Sequence, residues 1–337
     1  MQASQKEVSM DLVYIQQILH RPWQLIWRNL PARVRHFLHP YYRKIFSNRF
    51  IVVFWPTFRC NYSCSYCPVH TKFDFATVYP KPCEKTWRQW VDALEKLPPA
   101  VIYIAGGEPF LYAGLPDLLN NLPAKHRLLG IVTNLSMPTR VFQEVQRSTH
   151  LNASFHRECV SEEAFVAKVK ELRDSFHIEV NIVATPENLP AIAAVDDLLK
   201  SRRVTLHVDP YVDPDFRYSA EQLKLLEKHT QSDRNALPDF DDFSHKSCSA
   251  GRNYINLMPN GDLFTCASGY SYTYSPLTAH VVAGQRTDHY RMGNLFDSDF
   301  SLNTTDMSCT LPCQAYCYRD AVIVRSIDPV QGSPARQ

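Results

Sequence analysis

Glycine is scarce in this chain, at 10 of 337 residues against 23 prolines. No stretch approaches the roughly 18 consecutive apolar residues that a membrane-spanning helix needs, and no charged-then-apolar leader with a small-residue cleavage site opens the sequence. Internal repeats and low-complexity runs are missing too. These absences argue against an integral membrane protein and a disordered chain, and set the expectation of a cytoplasmic location. With 45% hydrophobic residues and a formal net charge of +2, the chain has the material for a substantial core, arranged as one medium domain with an appendage or as two domains.

Acidic residues are lacking between Asp11 and Asp74, where Arg21, Arg28, Arg33, Arg35, Arg43, Lys44, Arg49, Arg59 and Lys72 all fall. The first part of that segment interleaves Ile15, Leu19, Trp23, Trp27, Leu30, Phe37 and Tyr41 with the charges and is broken at Pro22, Pro31 and Pro40. It reads as an amphipathic N-terminal extension over residues 1–48. Two readings stay open for it: packing on the domain with a solvated basic face, or a peripheral contact with a membrane surface, an acidic substrate or a protein partner.

From residue 51 the pattern alternates. IVVFWPT, AVIYIA, RLLGIVT, LNASF, IEVNIVAT and VTLHVDPY read as strands, and the amphipathic segments between and after them as helices. About six strand–helix units in succession predict a parallel sheet joined by right-handed crossovers, with functional loops at the carboxyl ends of the strands. The fold class expected is α/β, a partial (β/α)6 barrel over residues 49–235 with a small C-terminal α+β auxiliary-cluster domain over 240–330. The polar segment DRNALPDFDDFSHKS reads as the linker between them, and NYINLMPNGDLFTCA as a hairpin turning at Asn260-Gly261.

Ten cysteines are present, and eight fall into two groups. In a reducing compartment such clusters point to metal or redox chemistry before disulfides. The first group, Cys60-x3-Cys64-x2-Cys67, follows directly on the first strand. Three thiolates suit three irons of a cubane cluster and leave the fourth iron open. Structural zinc normally takes four ligands in two pairs, and no fourth cysteine or suitably spaced histidine completes such a set, although His70 lies three residues on.

CNYSCSYC resembles the CxxxCxΦC motif of the radical S-adenosylmethionine (SAM) enzymes, with Tyr66 at the aromatic position. Gly106-Gly107-Glu108-Pro109, at the end of the second strand, is similar to that family's GGEP motif. The resemblance implies a SAM-binding 4Fe-4S cluster on Cys60, Cys64 and Cys67. Its open iron chelates the methionine amino and carboxylate groups, with Gly106, Gly107, Glu108 and Pro109 holding the amino group. An electron from the reduced cluster then gives a 5′-deoxyadenosyl radical. Ser154 and Asn134 become candidates for the ribose; the family usually reads TNG where this chain reads TNL, with Leu135 in place of glycine.

Alternation adds evidence of a different kind. Asn152, Ser154 and His156 share one face of their strand, and Thr205, His207 and Asp209 share one face of theirs. Polar residues on the inner side of a barrel read either as a ligand cavity or as a hydrogen-bonded core. His156, His207 and Asp209 are therefore candidate catalytic residues. Cys159 is a candidate hydrogen donor or, alternatively, a buried inert thiol.

The second group comprises Cys248, Cys266, Cys309, Cys313 and Cys317. Cys248-x12-Gly261-x4-Cys266 resembles the Cx9-15Gx4C signature of SPASM and twitch domains, which carry auxiliary clusters. A full SPASM domain has seven cysteines, so five imply one auxiliary 4Fe-4S cluster and one spare thiol; a zinc ribbon from the same cysteines is the structural alternative. The resemblance, covering about residues 51–320, implies a radical SAM oxidoreductase that oxidises its substrate radical through the auxiliary cluster. The alternatives are an epimerase with a cysteine donor and a peptide maturase, and, outside the family, a non-catalytic iron–sulfur or nucleic-acid-binding module. The family implies a flavodoxin- or ferredoxin-type reductant. The substrate class is left at sugar-like, lipid-linked or peptide, and a nucleic-acid partner is not expected, because a binding module needs neither the GGEP turn nor an open three-cysteine site.

Overall fold

In a computed structural model, the chain divides into two units, Met1–Arg49 and Phe50–Gln337. The structure describes residues 50–67, 69, 79, 84–147, 149–211, 216–229, 246–266, 290–309 and 324–326. The basic N-terminal extension, His70, most of the expected linker, Cys313 and Cys317 lie outside the described residues.

Six strands pair in parallel and in chain order: β1 (Phe50–Phe54), β2 (Ala100–Ile104), β3 (Arg127–Thr133), β4 (His150–Ser154), β5 (His177–Ala184) and β6 (Thr205–Pro210). A helix or helical segment follows each strand: α1 (Trp87–Leu94), α2 (Leu115–Asn120), α3 (Thr139–Gln143), α4 (Glu162–Leu172), α5 (Ile192–Lys200) and α6 (Ala220–His229). A parallel sheet wound in one direction with helices between its strands is the partial barrel expected from the alternating pattern. The helices are shorter than their sequence patterns at several ends. In ENLPAIAAVDDLLKS, for example, Pro190 sits in a 3-10 turn over Leu189–Ala191, and α5 starts only at Ile192.

Local chemistry sets these ends. Thr86 and Gln89 form a capping box at the start of α1, with Gln89 N donating to Thr86 Oγ1 at 3.3 Å and Thr86 N donating to Gln89 Oε1 at 2.9 Å. Ser161 caps α4, and Glu162 and Glu163 place negative charge in its first turn.

The chain after β6 returns to the same sheet. β7 (Lys246–Cys248) pairs with β11 (Met307–Cys309) and β12 (Val324–Ser326) in a separate three-stranded sheet. β8 (Tyr254–Leu257) lies parallel to β1, and β9 (Asp262–Phe264) and β10 (Arg291–Asn294) continue outward antiparallel. The order is therefore β10-β9-β8-β1-β2-β3-β4-β5-β6. The expected hairpin turns at Asn260-Gly261, and Gly261 has φ +94° with the Phe296 ring 2.4 Å from where a Cβ would stand.

Alternation sorts each strand's side chains. Val52, Phe54, Ile102, Ile104, Leu151, Ala153, Val180, Ile182, Leu206, Val208, Ile255 and Leu257 face the helices in one core. Val53, Tyr254, Asn152, Ser154, Asn181, His207 and Asp209 occupy the opposite, inner face. No helix among the described residues is long and apolar enough to cross a membrane.

Trp90 anchors the helix layer. It is fully buried, with its ring 4.7 Å from Phe54 and 4.8 Å from Phe296, so it joins α1 to β1 and to the segment after β10. Trp90→Ala is expected to lower unfolding stability by about 3–5 kcal/mol, seen as a lower denaturant midpoint at unchanged m-value.

Candidate active site

The first cysteine loop begins where β1 stops pairing as a strand. Beyond Phe54 the contact with β2 continues through the backbone: Ala105 N donates to Phe54 O, Gly107 N to Thr57 O and Glu108 N to Arg59 O, each at 2.9 Å. The approach is closer than a side chain permits. A Cβ on Gly106 would stand 2.4 Å from Thr57 O, and one on Gly107 would stand 2.2 Å from Arg59 O. The two glycines thus seat the GGEP turn against the residues leading into Cys60.

Glu108 is fully buried. Its carboxyl group accepts from Asn134 N at 2.8 Å, from Thr133 Oγ1 at 3.0 Å to each oxygen, and from Phe110 N at 3.2 Å. These bonds tie the end of β2 to the end of β3. Burial pushes the Glu108 carboxyl up to about 7, against the opposing pull of the Asn134, Phe110 and Thr133 hydrogen bonds.

Asn134 reaches the cysteine loop itself. Its Nδ2 donates to Asn61 Oδ1 at 3.1 Å and lies 3.6 Å from Cys60 Sγ, while Ser136 N donates to its Oδ1 at 2.9 Å. Leu135 stands where the family reads glycine, and its φ is +58°. The backbone therefore takes the left-handed form that glycine favours, at a cost of roughly 1–2 kcal/mol. Burial of the leucine in the helix-side core and a 3.1 Å bond from its N–H to Thr133 Oγ1 offset that cost.

A second loop, after β4, closes on the cysteine loop at three successive residues. Tyr66 OH lies 2.8 Å from His156 Nδ1, Ser65 N and Oγ donate to Glu158 at 2.9 and 2.6 Å, and Cys64 Sγ lies 3.7 Å from Cys159 Sγ. The His156 ring also meets the edge of Tyr62, 6.0 Å away. Burial holds the His156 pKa down to about 4, so the ring is neutral at pH 7. Burial likewise pushes the thiols of Cys60 and Cys64 up.

The inner face carries its own polar group. His207 Nε2 lies 3.1 Å from Asp209 Oδ1, and Asn181 Nδ2 donates to Asp209 Oδ2 at 2.5 Å. Asn152 bonds Tyr103 OH. Ser154, the last residue of β4, stands in register with Asn181. His156, read with this face, instead lies beyond the strand against Tyr66.

Cys248, Cys266 and Cys309 are buried together with Tyr254, Tyr290, Val53 and Ala105. β7 brings two of them near, because Met307 pairs with Cys248 two residues before Cys309, and Tyr290 OH donates to Cys309 Sγ at 3.8 Å.

Both thiol groups fit an iron–sulfur cluster by the chemistry of their donors. Thiolates are the usual ligands of such clusters, each held by a separate iron. Glu158, Asn61, Tyr62 and Thr133 were not anticipated from the sequence, although each sits beside or between residues already singled out: Asn61 and Tyr62 between Cys60 and Cys64, Thr133 before Asn134, and Glu158 before Cys159.

Residues 56–199 match the model of the Radical SAM superfamily. No curated protein matches the chain in sequence. The fold is similar to that of Streptococcus suis SuiB bound to S-adenosylmethionine, at 15% identity over 80% of this chain and 77% of that one, with a TM-score of 0.51. SuiB bound to its precursor peptide SuiA aligns at 16% identity over 84% and 75%, with a TM-score of 0.52. Native anSMEcpe with bound AdoMet and the Kp18Cys peptide aligns at 14% over 73% and 78%, with a TM-score of 0.52. At such identities the likeness is one of fold.

The raised Glu108 pKa has a pH signature. Between pH 4.5 and about 7 the folded state holds a proton that the unfolded state has released, so stability falls as pH rises through that window. Glu108→Gln, which cannot titrate, is expected to lose that slope, as read from denaturant midpoints at pH 4.5, 6 and 7.5. Parallel profiles for the two proteins would contradict this account of Glu108.

Proposed function

Starting from a Radical SAM superfamily domain over residues 56–199, we propose that this protein is an enzyme that cleaves SAM, abstracts hydrogen from a substrate C–H and oxidises the substrate radical through an auxiliary 4Fe-4S cluster. The observation that carries the reading is the backbone seating of the GGEP turn on Thr57–Arg59, which brings the methionine-binding motif against the loop of Cys60, Cys64 and Cys67. When bound, the cluster and SAM supply the 5′-deoxyadenosyl radical; the residues of this chain bind, orient and exclude water.

Cys60, Cys64 and Cys67 would hold the first cluster. The Gly106-Gly107 backbone and Glu108 would receive the methionine amino group, a cation that suits a buried carboxyl whose described partners, Thr133, Asn134 and Phe110, are all neutral. Asn134 would orient the cofactor from the cluster side and Ser154 from the end of β4. Tyr66 fixes the loop through its bond to His156. The Asn181–Asp209–His207 group on the inner face would meet the substrate, with His207 and Asp209 in proton transfer. Cys248, Cys266 and Cys309, joined by a ligand from among Cys313 and Cys317, would hold the auxiliary cluster in a domain spanning about residues 240–330.

Cys159 faces Cys64 at 3.7 Å, which supports a role beside the first cluster and gives less support to a hydrogen donor for epimerisation. A peptide substrate is the preferred class, since SuiB and anSMEcpe, whose fold this chain shares, are each seen with a bound peptide. A flavodoxin- or ferredoxin-type reductant, a cytoplasmic location and a peripheral role for residues 1–48 complete the proposal.

Replacing Cys60, Cys64 and Cys67 together by Ala is expected to abolish 5′-deoxyadenosine formation in anaerobically reconstituted protein while leaving roughly half the iron, held by the second thiol group. SAM cleavage by that triple variant would refute the assignment of the first site.

The oxidative outcome has an isotopic test. In deuterated water the product should carry no solvent deuterium at the reacting carbon, with one 5′-deoxyadenosine per product. Stable deuterium at that carbon, lost in Cys159→Ala, would establish epimerisation instead.

A further inference from the structure

Asn256, in the middle of β8, is 0% exposed. Chemistry fixes which way its amide points. The Trp55 indole Nε1–H lies 3.0 Å from the Asn256 side-chain oxygen and can only donate, so the oxygen faces Trp55 and the amide nitrogen faces away. That nitrogen, Nδ2, is buried and meets no acceptor among the described residues. A buried donor left unpaired carries a desolvation cost, and an acceptor beyond the described side chains would relieve it.

The register shows what lies beside it. Tyr254 and Asn256 share the inner face of β8, since Ile255 and Leu257 belong to the helix-side core. Tyr254 is packed with Cys248, Cys266 and Cys309. Asn256 pairs with Phe264 and Leu257 with Leu263, and β9 ends at Phe264, two residues before Cys266. Cys266 lies in the same buried group as Tyr254, which stands two residues from Asn256 on this face. The carboxylate on the facing strand, Asp262, is already engaged by Arg291, Asn260 and Asn294.

We propose that Asn256 donates an N–H···S hydrogen bond to the iron–sulfur centre held by Cys248, Cys266 and Cys309, with Trp55 as the positioning residue that locks the amide in the donating orientation. The inference rests on reading the second thiol group as an auxiliary cluster. Sulfur is the acceptor with the matching chemistry: it gains negative charge when a cluster is reduced, and a fixed N–H stabilises that state. Hydrogen bonds to cluster sulfurs are among the determinants of reduction potential, so Asn256 raises the potential of this centre and makes it a better electron acceptor.

The test uses full-length protein carrying Cys60→Ala, Cys64→Ala and Cys67→Ala, anaerobically reconstituted so that only the second centre remains. Its reduction is followed by EPR-monitored titration with and without Asn256→Leu. The expected result is equal iron content and a shift of the midpoint to lower potential in the Asn256→Leu protein. Trp55→Phe, which frees the amide without removing it, should give a smaller shift in the same direction.

Should Asn256→Leu fail to hold iron, the Trp55→Phe comparison decides alone, together with pulsed EPR of the unaltered side chain labelled with 15N, where coupling to the reduced centre is expected. Unchanged midpoints with full iron would overturn the role of Asn256 and leave the auxiliary cluster standing. Absence of iron from the Cys60/Cys64/Cys67 variant would overturn the cluster reading itself. A shift found only in the first centre, measured after Cys248, Cys266 and Cys309 are replaced by Ala, would also overturn the assignment.

Discussion

Two peptide planes brought together without room for a Cβ underlie most of this site. Gly106 and Gly107 let the end of β2 lie against Thr57–Arg59, and the hydrogen bonds from Gly107 N and Glu108 N complete the contact. Any larger residue at either glycine would push the turn off the segment that launches the cysteine loop. Because Glu108 follows directly, its carboxyl is delivered to the end of β3, where Thr133 and Asn134 hold it. Asn134 in turn bonds Asn61 and approaches Cys60. A single close approach thus registers three strand ends and one cysteine loop.

The loop after β4 supplies the remaining restraint on those thiols. Three consecutive residues, Cys64, Ser65 and Tyr66, each meet a partner between His156 and Cys159. Contacts of three kinds, between sulfurs, to a carboxylate and to an imidazole, fix the loop's position and its rotation together. Such preorganisation suits the proposed role of this loop in holding a cofactor, since a cofactor brings the reactive group and the protein contributes placement. On the other side of the sheet's inner face, β8 and β9 extend the barrel past β1, so that Trp55 touches both the apolar group beside Cys67 and the one that holds Cys248, Cys266 and Cys309. The two thiol groups therefore share a continuous packed wall, although their cysteines lie far apart in the chain.

Much of the architecture was legible in the residues. Strand periodicity located all six parallel strands to within a residue or two, because burial on one face imposes a strict alternation that short apolar strands such as LNASF and VTLHVDPY display openly. Helix ends were less legible. They depend on caps and on where tertiary packing stops, and α3 ends at Gln143 although its pattern runs on to Arg147. The return of the C-terminal hairpin to β1 was not legible at all, since a β-hairpin advertises its own turn and not the edge on which it docks.

Residue order alone specifies the chemistry on offer: three thiols in one loop, a glycine pair at a strand end, five further thiols downstream and polar residues on alternate positions of β4 and β6. These are local patterns, and local spacing suffices to encode them. Which of these groups meet was set by packing. It turned His156 away from the strand face toward Tyr66, set Cys159 against Cys64, and put Leu135 into a backbone form that its own side chain disfavours, because the gain from burying that leucine exceeds the strain. It also left the Asn256 amide with a buried donor and no partner among the described residues. No spacing rule encodes such pairings, which arise when segments separated by tens to hundreds of residues are packed together and every buried polar group must find, or fail to find, its complement.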